Sequence, residues 1–267
     1  MKKLIGIVAA FLLMASTALA DTTIKVDGST TVLPIMQKVV EAYMKAHPDV
    51  KISVSGGGSG NGIKALIDGA TDIAMASRAM EQKEIDLAKT KNVAANQIVC
   101  AIDAIVPVVN PANKLTEITT DQLKDLYMGK ITSWKDLGGE GPVVVISRDT
   151  SSGTYETWEG LVMKKERVFP GALMQASSGA VVQAVSKNKN ALGYVGIGYL
   201  DASTKALKVN GVEPTAENAK SKKFPISRDL YLYTNGEPAG AVKGLVDFLL
   251  GAEGQKLVKE AGFVPLN

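Results

Sequence analysis

The chain has one cysteine and one histidine among its 267 residues, and both scarcities narrow what it does. With Cys100 alone, inside the apolar run IVCAIDAIVPVV, no intramolecular disulfide forms; Cys100 reads as a small buried apolar residue rather than a reactive thiol. With His47 alone, in KAHPDV where a helical pattern runs out, a serine nucleophile has no obvious base, and His47 reads as a solvent-facing helix-end residue. No Asp, Glu or His cluster has metal-ligand spacing, and GGGSGNG lacks the lysine of a phosphate-binding NTPase loop. Neither a metal nor an organic cofactor is expected.

No run is long enough to cross a membrane. Residues 1–20, MKKLIGIVAAFLLMASTALA, carry Lys2 and Lys3, an apolar run and the small-x-small sequence Ala18-Leu19-Ala20, the pattern of a secretory signal peptide cleaved before Asp21. Residues 4–20 fall short of the ~20 apolar residues a span needs and give way at once to a polar segment. Cleavage removes two lysines and no acid, turning 30 basic residues against 27 acidic into 28 against 27. So neutral a chain lacks the basic footprint of a nucleic-acid binder. No cysteine stands at the cleavage site to carry a lipid, so a soluble periplasmic protein is expected, with full secretion second. The 247 residues after Ala20 suffice for a large core without staples.

Beyond residue 20, short β-rich runs alternate with helical periodicity, the pattern of an α/β protein. Strands are expected over 21–27, 50–54 and 72–77. Val32, Ile35, Met36, Val39, Val40, Tyr43 and Met44 repeat at helical spacing, and a second helix is expected over 60–67. A similar plan recurs later: SGNGIKALIDGATDIAMA from Ser59 and SSGAVVQAVSKNKNALGYVG from Ser177 share a Ser-Gly loop, a short amphipathic helix and a small-residue strand. Two lobes built alike would put a ligand cleft between them. The apolar runs over 98–110 and 229–234 are the expected crossing strands, which divides the chain into lobe one (21–107 and 228–267) and lobe two (108–227). Helices over 241–261 then belong to lobe one. Between these motifs, 119–128 reads as a helix, Trp134 and Leu137 as packing residues, and AKSKKF (219–224) as a solvated loop.

Three loops carry the candidate chemistry: GSTTVLP at Gly28, GGGSGNG at Gly56 and RDTSSGT at Arg148. Each ends an apparent strand and opens an apparent helix, where first-turn N–H groups are free for an anion. Glycine admits a close backbone approach and Ser or Thr adds a hydroxyl donor. Ordinary capping by Ser29, Ser59 and Ser152 is the competing reading. A Ser–Lys pair stays open as well, since Lys64 and Lys164 follow two of the loops, although both read as solvated. Arg148 closes a buried strand and must be paired; its planar guanidinium matches two oxygens of a tetrahedral oxyanion, or it bridges to an acid such as Asp149.

GSTTVLPI, GGGSGNGIKAL, DIAMASR, LYMGKITSWKDLGG, RDTSSGT and ALGYVGIGYL, in this order, resemble the periplasmic phosphate-binding proteins of phosphate ABC importers. The resemblance implies a type II periplasmic-binding-protein fold: two α/β lobes, each a mixed sheet flanked by helices, hinged by two crossing strands and closing on one dehydrated phosphate that a membrane permease receives. It implies no catalysis and is consistent with a monomer. Carried over motif by motif, Thr30, Thr31, Ser59, Arg148, Ser152, Gly153 and Thr154 would bind the ligand. Where the family places an aspartate that accepts the phosphate proton, this chain has Ser77-Arg78, so both join the candidate set. Asp72 and Asp149 are possible substitutes for the missing acceptor. Without that aspartate, a receptor for sulfate, molybdate or tungstate stays open, as, more remotely, do a secreted hydrolase using Ser59 or Ser152 and an adhesion or signalling protein.

Overall fold

The computed structural model describes residues 22–267, so the leader expected over 1–20 lies outside the described residues. The described residues begin with β1 (Thr22–Gly28), α1 (Leu33–Ala46), β2 (Val50–Gly56), α2 (Ser59–Ile67), β3 (Ile73–Ala76) and α3 (Gln82–Thr90). The long strand β4 (Ala95–Val109) leads to β5 (Glu117–Ile118) and α4 (Thr120–Tyr127). Next come β6 (Val144–Arg148), α5 (Gly153–Leu161), β7 (Leu173–Gln175), α6 (Ser178–Lys187) and β8 (Ala191–Gly196). The chain finishes with β9 (Lys205–Ala206), β10 (Lys208–Val209), α7 (Ala216–Lys220), β11 (Ser227–Asn235), α8 (Gly240–Leu250) and α9 (Ala252–Glu260).

The strands follow the order β2-β1-β3-β11-β4-β8-β6-β7, with β9 also on β4, and the halves of this sheet share one plan. In the first, β1 lies parallel between β2 and β3, and β11 runs antiparallel beside β3. In the second, β6 lies parallel between β7 and β8, and β4 runs antiparallel beside β8. Chain order repeats too: β1-α1-β2-α2-β3 matches β6-α5-β7-α6-β8. Parallel strands joined through helices put every helix N-terminus at the carboxyl edge of its sheet, where open α/β sheets bind ligands.

Local signals account for the elements. In α1, Ile35, Met36, Val39, Val40 and Tyr43 recur three and four residues apart and are buried, with Pro34 in the first turn, where its missing N–H costs nothing. A capping box joins Thr119 and Gln122 at the start of α4, inside the expected 119–128 span. Lobe one packs α1, α8 and α9 on one face of its sheet, through Ile24, Ile35, Met36, Leu230, Leu245, Leu249 and Phe263. Ile63, Leu66, Ala74, Ala88 and Tyr233 fill the opposite face under α2 and α3. Lobe two is built around Trp134, Trp158, Tyr127 and Tyr194, with the Trp158 and Tyr194 rings stacked at 4.2 Å, and Leu137 packs on its margin.

Two strands pass between the lobes. Residues 95–104 of β4 pair with β11, and Ile105–Val109 pair with β8, so the strand changes partner between Ala104 and Ile105. Lobe-two pairing thus starts three residues before the expected boundary after 107, because β8 recruits β4 as soon as β11 ends. The C-terminus returns to lobe one, where Ile102 and Val264 exchange backbone hydrogen bonds at 2.8 and 3.1 Å.

Helix α2 presses on β1 at Gly62. A Cβ there would lie 2.5 Å from the Gly28 Cα and 2.6 Å from the Asp27 carbonyl oxygen. Both are backbone atoms and cannot rotate away. Gly62→Ala is therefore expected to lower the urea midpoint by an amount worth about 1–3 kcal/mol at unchanged slope, the usual cost of overpacking.

Candidate functional site

Four helices, α1, α2, α5 and α6, begin at the carboxyl ends of β1, β2, β6 and β7, and their first turns meet where the lobes close on each other. Across that junction the Thr31 and Thr154 hydroxyls lie 2.9 Å apart, and the Ser178 N–H donates to Thr30 Oγ1 at 3.3 Å. The Gly60 N–H donates to the Ser151 carbonyl at 3.0 Å, and the Ser151 hydroxyl to the Gly57 carbonyl at 3.3 Å. Gly153 sits so close to lobe one that a Cβ would lie 2.4 Å from Ser59 Oγ and 2.9 Å from Ser77 Oγ. Thr30, Thr31, Ser59, Ser77, Ser152, Thr154 and Ser178 are all buried. Among the described residues, the N–H groups of Thr30, Ser59, Gly153 and Thr154 find no protein acceptor. Four positive helix ends and unpaired amides at one point make an environment for an anion.

Arg148 adds a full charge. It is 1% exposed, and its Nε, Nη1 and Nη2 donate to the Gln175 carbonyl (3.0 Å), Ser178 Oγ (3.2 Å) and the Ala176 carbonyl (3.2 Å). All three acceptors are neutral. Its paired carboxylate is Asp149 at 4.0 Å, a half-exposed residue whose other oxygen accepts the Ser151 N–H at 2.9 Å. Burial pushes the Arg148 guanidinium below its ordinary pKa, and Asp149 only partly offsets this. Two N–H groups of the five remain for an incoming oxyanion.

Beside this cluster, the crossing strands hold an ion pair that the sequence motifs did not reveal. Asp103 on β4 is 0% exposed and pairs with Arg228 on β11 at 2.7 Å. The other Asp103 oxygen accepts the Ile197 N–H at 2.9 Å. Arg228 also donates to the Ser77 carbonyl (2.9 Å), the Gly153 carbonyl (3.4 Å) and Thr154 Oγ1 (3.0 Å), and reaches Thr31 Oγ1 at 3.5 Å. One guanidinium thereby ties the hinge to both lobes. Burial raises the Asp103 carboxyl and lowers the Arg228 guanidinium, each opposed by the other's charge. A charged residue inside each apolar crossing strand was the available signal, since neither is buried without a partner. Ser178 was equally within reach, as the repeat counterpart of Ser59.

Several expectations change. Arg78 does not offer its charge to the hydroxyl cluster: it grips Glu84 with both terminal nitrogens, at 2.7 and 2.8 Å, and also pairs with Glu156 on α5 of the other lobe. Two carboxylates hold that guanidinium, which ties the lobes together. Asp72 is exposed at the start of β3, the end remote from Ser77, and accepts the Lys25 N–H, so it is no substitute acceptor. Of the three supposed caps, Ser152 alone caps its helix, its Oγ accepting from Tyr155 N; Ser29 lies ahead of the Val32 N-cap of α1 and its Oγ accepts from Thr31 N in the loop, and Ser59 is the first residue of α2, its hydroxyl accepting from Ser77 N. Lys164 lies beyond α5 rather than on it, and both it and Lys64 are exposed. His47 is exposed at the end of α1 against Tyr43. Cys100 is buried, its thiol pushed up to about 12 by burial. Among the described residues, no group of three or more His, Cys, Asp or Glu is placed to hold a metal, and no helix is long and apolar enough to cross a membrane.

Residues 15–253 match the family described as the PBP superfamily domain. The chain is similar to the phosphate-binding protein PstS of Borreliella burgdorferi, 31% identical over 92% of this chain and 91% of that protein. It is 32% identical to the PstS of Bacillus subtilis over 93% of this chain and 82% of the relative. Among solved structures, a phosphate ABC transporter substrate-binding protein from Clostridium perfringens, described as putative and holding bound phosphate, superposes with a TM-score of 0.87 at 34% identity, covering 92% of this chain and all of that one. A phosphate transport receptor from Vibrio cholerae gives 0.74 at 33% identity, over 90% of this chain and 99% of its own.

The hinge pair carries a measurable load. Asp103→Asn leaves Arg228 buried without its counter-charge and is expected to cost about 3–5 kcal/mol of stability in urea unfolding. A loss under about 1 kcal/mol would mean that the pair is effectively solvated.

Proposed function

The chain belongs to the PstS phosphate-binding proteins of the PBP superfamily, and from that membership and the cleft's geometry we propose an extracytoplasmic receptor that closes on one inorganic phosphate and presents it to an ABC permease. The observation that carries this reading is Arg148: a buried cation, its paired carboxylate no closer than 4.0 Å, set among four helix N-termini. A phosphate supplies the charge the site lacks. Its oxygens take the two spare N–H groups of Arg148 and the amides of Thr30, Ser59, Gly153 and Thr154, and the hydroxyls of Thr30, Thr31, Ser59, Ser77, Ser152, Thr154 and Ser178 line the site around them. Arg78 is left out of this set.

Closure follows from where the donors sit. Thr30, Thr31, Ser59 and Ser77 belong to lobe one, and Arg148, Ser152, Gly153, Thr154 and Ser178 to lobe two, so only the closed state offers all of them to one anion. The ligand therefore favours closure by its differential contacts. Ser151 with Gly57 and Gly60, and Arg78 with Glu156, hold the closed lobes together. We place the lobe boundaries at the strand switch after Ala104 and before Ser227, cleavage of the leader after Ala20, and the working protein in the periplasm as a monomer that needs no metal, cofactor or nucleic acid. A hydrolase reading is the weaker one, because the hydroxyls of Ser59 and Ser152 engage Ser77 and the Tyr155 amide, and among the described residues no histidine or lysine reaches either.

Two measurements follow. Arg148→Ala is expected to weaken phosphate binding by about 2–5 kcal/mol in calorimetry, the range for truncating one member of a buried charge pair; near-native affinity would make the arginine structural. X-ray scattering of the phosphate-free and phosphate-bound protein is expected to show a smaller radius of gyration when bound, and equal radii would remove the support for ligand-driven closure.

A further inference from the structure

The loop between β1 and α1 owes part of its shape to a residue far along the chain. The Gly28 carbonyl accepts the Gly57 and Gly58 N–H groups at 2.9 and 2.8 Å, the Ser29 N–H donates to the Met75 carbonyl at 2.8 Å, and the Ser29 carbonyl accepts the Leu33 N–H at 3.0 Å. The next bond of that last pattern would run from residue 34 to the Thr30 carbonyl, but Pro34 has no N–H to give. A proline suits the start of α1; ahead of the helix it leaves the Thr30 carbonyl to find its donor elsewhere. That donor is the Tyr199 hydroxyl, 2.5 Å away. A phenol has one proton and a carbonyl has none, so the direction of this bond is fixed.

Tyr199 is firmly mounted. It ends the 3-10 turn Ile197–Tyr199 that follows β8, and Ile197 and Tyr199 both pack against the cores of both lobes. The Ile197 N–H donates to buried Asp103 at 2.9 Å, which ties the turn to the crossing strands. Burial pushes the Tyr199 hydroxyl up to about 12, Arg148 opposing the shift and Asp103 adding to it, so the phenol stays protonated and donating at any ordinary pH.

Resting on the phosphate reading, we infer that Tyr199 is a positioning residue for ligand binding: its hydroxyl holds the Thr30 carbonyl and thereby sets the orientation of the first anion loop. Its one proton is spent on Thr30, so it acts through that residue rather than on the ligand. The peptide unit between Thr30 and Thr31 is planar, and its carbonyl and N–H turn together. The Thr31 N–H donates to Ser29 Oγ at 3.1 Å, and the Thr31 hydroxyl meets Thr154 of the other lobe at 2.9 Å. Released from Tyr199, the Thr30 oxygen brings a negative dipole end free to swing beside the anion. Thr31 moves with it and loosens both of those contacts.

Calorimetric titration of phosphate into the full mature protein and two variants tests the assignment. Tyr199→Phe keeps the ring and its packing and removes only the hydroxyl. It is expected to stay folded and to bind phosphate about tenfold more weakly, the scale for a buried acceptor left unanswered. A hydroxyl that served stability alone would lower the urea midpoint and leave the affinity of the folded protein where it was. The double variant Tyr199→Phe/Pro34→Ala returns an N–H to position 34 and with it a donor for the Thr30 carbonyl. Its affinity is expected to recover to within about threefold of the unmodified protein. Native affinity in Tyr199→Phe, or a loss that persists in full in the double variant, would overturn the assignment. Failure of the unmodified protein to bind phosphate at all would sink the functional reading itself.

Discussion

Burying the Arg148 guanidinium with its paired carboxylate 4.0 Å away leaves a charge that the protein does not fully answer. The desolvation of such an ion costs several kcal/mol, and three neutral acceptors recover only part of that. Four helix ends add positive potential at the same place. Each lobe alone can leave its share of this field in water. Closed together, the lobes concentrate it where water is excluded, and an anion there is worth most because the local dielectric is low. Under the proposed function, binding and closure answer one electrostatic requirement.

The duplicated β-α-β-α-β unit makes that requirement buildable. Each copy supplies two helix N-termini at one sheet edge, and the crossing strands β4 and β11 turn the two edges toward each other. Arg228 and Asp103 occupy those crossing strands, where one guanidinium reaches carbonyl or hydroxyl groups from both lobes. The pair does not neutralise Arg148; it is neutral as a unit and fixes which way the Thr154 hydroxyl faces. Arg78, Glu84 and Glu156 make a second interlobe tie.

Local physics made much of this legible in sequence. Helical spacing in Val32–Met44, the Ser-Gly loops before helices and the apolar crossing runs each report on their own segment, and those elements lie where the pattern puts them. What depends on distant pairing did not show. Asp103 and Arg228 are 125 residues apart, and Arg78 and Glu156 are 78 apart, so neither pairing can be read from spacing along the chain. Arg78 therefore looked like a second ligand cation until its carboxylate partners were in view. Ser178 is different in kind: the internal repeat already aligned it with the Ser59 loop, and the missed step was to apply the repeat to the binding residues as well as to the fold.

One oxyanion is expected to complete the charge at the meeting point of α1, α2, α5 and α6. Anomalous diffraction from crystals grown with arsenate, a protonated tetrahedral anion with a scatterer at its centre, locates that anion without reference to the protein's own density. The account predicts one dominant arsenic peak between Arg148 and the first turns of those four helices, its oxygens within hydrogen-bond reach of both lobes. An arsenic peak confined to the outer surface, with Arg148 still holding only its three neutral partners, would contradict it.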